Sequence, residues 1–151
     1  MSHQFELALR QYVAVFDGKN DSPDDFQAKF DALYHPKFHF IQSDGRKYIG
    51  LLLHASTKDP IARDVILEQE KAKYTAGTKM TVVHLRKIGL DCFDVMINEG
   101  ESSNRVVITI SDKQAVVARE IDDSLPLQVL EASCKSAIFK FVEMGTYGTN
   151  M

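Results

Sequence analysis

From Phe5 to Phe16, apolar residues stand at Phe5, Leu9, Tyr12, Val13 and Phe16, the three-to-four spacing of one helical face. Asp17-Gly18 supplies the glycine that ends such a helix. Ser22-Pro23-Asp24-Asp25 then reads as an N-cap, a proline at the first helical position and acids in the first turn. A second helix follows with Phe26, Phe30, Leu33 and Tyr34 on one stripe, and it stops before Pro36. The runs FHFIQ and KYIGLLL flank Asp44-Gly45, a dipeptide that favours a type I′ hairpin because both central residues need positive φ. Asp59-Pro60 opens a third helix that carries Ile61, Val65 and Ile66 towards Tyr74, and Gly77 closes it.

From Thr78 onward the period changes to two. Turn signals at Ile88-Gly89, Asn98 to Asn104 and Asp112-Lys113 cut this stretch into strands over about 79–87, 90–98, 105–111 and 114–121. Short connections make sequential strands antiparallel neighbours. Ser124-Leu125-Pro126 begins a last helix over about 125–143, with Leu130, Cys134, Ala137, Ile138 and Phe141 at helical spacing. Helices first, then a meander, is an α+β order and not a βαβ repeat. The expected architecture is a curved antiparallel sheet forming a cone, closed by the N-terminal and middle helices, with an extra C-terminal helix. Pockets in such cones sit where the helices meet the concave sheet face.

The chain has 151 residues without a linker or repeat, which suits a single domain over 1–151. With 44% hydrophobic and 26% charged residues it has the apolar surface to fold, which excludes an intrinsically disordered chain. Eighteen Lys+Arg against 21 Asp+Glu give a net charge of -3, so no basic patch points to nucleic acid. The longest apolar run, 49–53, is too short for a membrane span, and the N-terminus lacks a signal-peptide pattern. Cys92 and Cys134 lie in no CxxC or Cys/His cluster and read as two buried thiols in a reducing, cytoplasmic setting, with a single disulfide as the alternative.

The paired N-terminal helices, the segment Phe30-Asp31-Ala32-Leu33-Tyr34-His35-Pro36-Lys37-Phe38-His39-Phe40 running from helix to strand, the Asp44-Gly45-Arg46 turn and the long antiparallel strands carry a resemblance. In this layout the chain resembles the nuclear-transport-factor-2-like, or SnoaL-like, superfamily over about residues 5–122. The resemblance implies a cone with an internal pocket and a homodimer formed through the sheet. It also implies a wide choice of roles: isomerases, dehydratases, polyketide cyclases, epoxide hydrolases, transport factors and assembly domains. Catalytic members usually keep an acid or a histidine inside the cone. Neither the Tyr-plus-two-acids set of the steroid isomerases nor the Asp-Arg-Asp set of the epoxide hydrolases has matching positions here.

The last hairpin assigns faces. A two-residue turn at Asp112-Lys113 sets Ile110 opposite Ala115, Ile108 opposite Val117, Val106 opposite Arg119 and Arg105 opposite Glu120. Arg119 is then the polar exception on an apolar face, able to hold a ligand carboxylate or to pair with an acid such as Asp122. Val107, Thr109, Val116 and Ala118 form a half-apolar outer patch of the kind a symmetric dimer uses. His84, beside Val82 and Arg86, suits a general base or a hydrogen-bonded sheet histidine. Asp94, in CFDVMI, would have its pKa raised by burial on the concave face and would then suit proton abstraction.

A two-residue Ile88-Gly89 turn puts His84 opposite Phe93 and away from Asp94; a three-residue turn puts it opposite Cys92 and on Asp94's side. His84 and Asp94 are thus the catalytic candidates. Tyr12, Tyr34 and Tyr48 are candidate donors to a ligand oxygen, with core packing as the alternative. Pro36 separates His35 from His39, so no helical metal pair exists, and no phosphate loop or nucleophile elbow occurs. Neither a metal nor a cofactor is expected. Three functions remain: a domain binding a small apolar or carboxylate-bearing molecule, a cofactor-independent acid–base enzyme of isomerase, dehydratase or cyclase type, and a non-catalytic dimerisation domain.

Overall fold

The computed structural model describes residues 2–17, 23–46, 48–49, 52–53 and 56–135. Helix α1 (Ser2–Ala14) buries Phe5, Leu9, Tyr12 and Val13 along the expected stripe. Helix α2 (Pro23–Leu33) starts at its proline, with Asp24 and Asp25 in its first turn, and buries Phe26, Phe30 and Leu33. The chain then passes into strand β1 (Tyr34–Ile41) without a loop, so Tyr34 and Pro36 belong to the strand and not to a helix stripe or a break. Strands β2 (Tyr48–Ile49) and β3 (Leu52–Leu53) pair with each other in a separate two-stranded sheet among the described residues. Short strand β4 (Ile61–Ala62) leads into α3 (Arg63–Thr75).

Gly77, at φ +75°, ends α3 in a Schellman motif: its N–H reaches the Tyr74 carbonyl and the Thr78 N–H reaches that of Lys73. Strands β5 (Met80–Gly89), β6 (Cys92–Glu99), β7 (Ser102–Ser111) and β8 (Gln114–Ile121) form the meander, and α4 (Leu127–Lys135) follows. Ala137, Ile138, Phe141 and the rest of the expected last helix lie outside the described residues, as do Gly18 and Ser22. The sheet is open, in the order β4-β1-β8-β7-β6-β5. It is mixed, because β1 runs parallel to β8. The hairpin expected at Asp44-Gly45 does not form: β1 is occupied by β8 and β4 instead. Asp44 holds its loop by accepting from the Arg46 side chain and the Thr57 N–H.

Two register corrections decide which side chains face where. At β7–β8 the Asp112-Lys113 turn has positive φ at both residues, as its type requires, and Ile110 opposes Ala115 as expected. A bulge then shifts the ladder, so Ile108 opposes Ala118, Val106 opposes Glu120 and Arg105 opposes Ile121. One extra residue exchanges the faces of everything beyond it. The expected Arg105–Glu120 pair is therefore not made, and Ala118 and Glu120 turn towards the helices while Val117 and Arg119 turn away.

At β5–β6 the turn residues are Leu90 and Asp91, not Ile88 and Gly89. A second bulge sets His84 opposite Met96 and Arg86 opposite Asp94, so neither expected opposition occurs, yet His84 and Asp94 share a face. Gly89 is needed for close approach, since a Cβ there would lie 2.5 Å from Cys134 Sγ.

Helices α1, α2 and α3 pack on the concave face over Phe93, Val95, Ile108, Ala115 and Ala118. A run of rings, Phe16, Phe26, Tyr12, Phe30, Tyr34 and Phe38, fills the seam between helices and sheet, with centroids 4.4–4.6 Å apart at Phe30–Tyr34 and Tyr34–Phe38. The convex face carries a second core: Ile88, Cys92, Val107 and Ile121 under Leu125, Leu130 and Cys134 of the α4 region. Cys92 and Cys134 are joined in a disulfide that ties α4 to the sheet, in place of the expected free thiols. The cytoplasmic expectation loses the support it drew from those thiols. Val107 is covered by α4, Ala118 faces the cone and Val116 packs with Ile41 and Val117, so of the outer patch expected for a dimer only Thr109 stays partly exposed in the single chain.

Candidate functional site

Where the helices meet the concave face they leave a cavity of about 300 Å³. That is the low end of the usual range for a ligand site. Its wall is mostly apolar, including Phe38, Phe40, Ile66, Ile97, Ile108 and Ala118. Phe16, Phe26 and Phe30 pack behind this wall, and Met96 lies on the other face opposite His84, so none of the four plugs it.

Polar side chains converge at one part of the lining. Ile66, Glu70 and Lys73 sit at i, i+4 and i+7 of α3, so the helix stripe that begins apolar continues with charge. Glu70, only 7% exposed, accepts from the Tyr12 hydroxyl at 2.7 Å and from Lys73 Nζ at 3.0 Å. Lys73 also donates to both oxygens of Glu99, at 3.1 and 3.2 Å. Asn104 Nδ2 donates to Glu99 at 2.6 Å; Glu99 ends β6, and Asn104 stands in β7 opposite Ile97. Burial opposes the charge on Lys73, but the Glu70 and Glu99 carboxylates outweigh it and raise its pKa, so it stays an ammonium.

Tyr12 and Tyr34 both line the cavity. Burial pushes the Tyr12 phenol far above its ordinary range, with Tyr34 and Glu70 adding to the effect. Burial, then the nearby Glu70 and Glu99, raises Tyr34 in the same way. Both hydroxyls therefore keep their protons, and that of Tyr12 donates to Glu70. Tyr48 is 37% exposed on β2 and lies outside this lining. Of the set Glu70, Lys73, Glu99 and Asn104, no member was picked out by motif. The usable signal was the charge continuing the Ile66 stripe.

The other candidates come together elsewhere. Asp94 is fully buried on the convex face, where Arg105 holds it bidentately: Nε reaches Oδ1 and Nη2 reaches Oδ2, both at 2.9 Å. Arg86 Nη2 donates to Oδ2 at 2.6 Å, and His84 Nε2 stands 3.2 Å from Oδ1. Burial alone would raise the Asp94 pKa, but hydrogen bonds from Arg105 and Arg86, with His84 close by, outweigh it and hold the carboxylate below its ordinary range. That is the opposite of the shift a concave, desolvated Asp94 was expected to have. The remaining Arg105 nitrogen, Nη1, donates to the Asp123 and Leu125 carbonyls at 2.9 and 3.0 Å, which fastens the lead-in to α4.

Arg119 also lies on the convex side, opposite Val107 and Ile41, beside a crevice of about 20 Å³ that it shares with Asp44 and Asp122. Such a space has room for about one water. The sequence left open whether His84 and Asp94 share a face; they do, through a register that neither turn reading gave, and the sheet stands between them and the cavity. Among the described residues no group of His, Cys, Asp or Glu has the arrangement of a metal site, and no described helix is long and apolar enough to cross a membrane.

No family model matches the chain, and no curated protein matches it. Solved structures do. A de novo designed NTF2 fold protein superposes with a TM-score of 0.56 at 10% identity, over 98% of this chain and 96% of that one. AclR of Streptomyces galilaeus, a proposed hydroxylase, gives 0.54 at 10% identity over 87% and 98%. A proposed isomerase of the SnoaL-like family from Agrobacterium tumefaciens gives 0.51 at 8% identity over 81% and 99%. Identities this low speak for the fold and leave the chemistry open. With its paired helices, bulged open sheet and these likenesses, the chain has the nuclear-transport-factor-2-like, SnoaL-like α+β fold.

Proposed function

We propose that this protein binds a small, largely apolar molecule in the concave cavity, oriented by the polar groups at Tyr12, Glu70, Lys73, Glu99 and Asn104. The observation that carries this reading is one cavity of about 300 Å³ in which an apolar wall meets a hydrogen-bonded set of charges that includes the buried Glu70. Apolar walls supply affinity by removing hydrocarbon from water, and a few fixed polar groups set orientation. Tyr34, which keeps its proton and lines the same space, is a further donor for a ligand oxygen. Titration with the uncharged dye N-phenyl-1-naphthylamine tests the reading. Saturable fluorescence enhancement at one dye per chain is expected, and a response that never saturates would contradict it.

A second reading, a cofactor-independent acid–base enzyme, is supported by the two carboxylates flanking Lys73 at the cavity wall. It places the proton-moving groups at Glu70 and Glu99, since Asp94 and His84 face away from the cavity. Its mark is turnover lost in Glu70→Gln while ligand is still held.

A further inference from the structure

We infer that the molecule held in the concave cavity carries a protonated amine: an alkyl- or aryl-ammonium compound with its cation at the Glu70–Glu99 end and its hydrocarbon body along the aromatic wall. This inference rests on the binding reading above and adds the chemical class of the ligand.

The first support is the direction of the hydrogen bonds. Lys73 donates to Glu70 and to both oxygens of Glu99, Tyr12 donates to Glu70, and Asn104 donates to Glu99. Each of these donors already points at a carboxylate of the chain. An ionised carboxylate offers about four acceptor positions, so both glutamates keep room for further N–H groups. The open capacity at this end is for donors, which an ammonium group brings and a carboxylate does not.

The second support is charge. The described lining contains Glu70, Glu99 and Glu120 against Lys73 alone, a formal excess of negative charge. In a partly dehydrated site such an excess attracts a cation and repels an anion. Arg119, the residue expected to hold a ligand carboxylate, is on the opposite face of the sheet. The third support is the wall itself: Tyr34, Phe38 and Phe40 line the same space and give an alkyl or aryl body apolar surface to bury against.

The test is displacement of bound N-phenyl-1-naphthylamine by three probes of nearly equal shape: 2-phenylethylamine, 2-phenylethanol and phenylacetate. The amine should compete at concentrations at least about tenfold lower than the alcohol, as expected for a charge-assisted hydrogen bond, and phenylacetate should compete least. Glu99→Gln should narrow the amine-over-alcohol ratio. An alcohol or carboxylate that competes as well as the amine overturns the inference. So does failure of all three to displace a dye that binds, and in both cases the binding reading stands. A dye that does not bind at all removes both.

Discussion

The two faces of the sheet use the same kinds of side chain to different ends. On the convex face Asp94 is surrounded by Arg105, Arg86 and His84, with Arg105 also holding two carbonyls before α4. On the concave face Glu70, Glu99 and Glu120 outnumber Lys73 and border open space. A carboxylate saturated by cations and buried beneath them is a fastening. A carboxylate set with spare acceptor positions beside a cavity is a binding surface. Buried charge alone therefore does not mark a site; charge with unused capacity and adjoining volume does.

The sharpest way to break this contrast is Asp94→Ala. It should cost about 3–5 kcal/mol, because Arg105 would remain buried without its partner, and chemical denaturation would measure the loss. If Asp94 were instead a catalytic group on a tolerant surface, stability would barely move. Its acid dependence follows from the same cluster. The folded pKa lies below the ordinary carboxylate value, so the stabilisation is complete above that value and is lost as pH falls through the folded pKa. Asp94→Asn should flatten the stability curve in that acidic window.

Next in size is the tie between α4 and the sheet. Reduction, or Cys134→Ser, should cost about 2–4 kcal/mol for a bridge that closes a loop of this length. Denaturation with and without reductant, with thiol labelling to count sulfurs, would measure it. Concave-face dye binding should survive in the reduced protein, since α4 packs on the other side. Smaller again is Tyr12→Phe, which removes one hydrogen bond to a charged group and should cost about 1.5–3 kcal/mol by thermal or denaturant unfolding. A cost near zero would mean that the Tyr12–Glu70 contact does not order the cavity.

Much of the fold was legible because periodicity reports burial directly. The stripes of α1 and α2, the Gly77 stop and the Asp112-Lys113 turn all follow from local rules. What periodicity does not carry is a bulge. One unpaired residue in β8 moved Ala118 and Glu120 to the concave face and Arg119 to the convex one, and the placement of candidate residues changed with it. At β5–β6 the glycine read as a turn residue is there because Cys134 comes close to it. That reason is tertiary and leaves no local pattern. Tyr12 and Tyr34 were legible as pocket candidates, whereas Glu99, which Asn104 also holds, meets Lys73 only once the end of β6 is brought to α3.

The claim that the concave cavity is the binding site is tested most directly by N-phenyl-1-naphthylamine titration of two variants, one for each face. Ala118→Phe places a ring in the cavity and His84→Ala alters the convex cluster. The account predicts that Ala118→Phe, folded by circular dichroism, loses saturable dye binding while His84→Ala binds as the unaltered chain does. Dye binding kept in Ala118→Phe, or lost in His84→Ala, would contradict it.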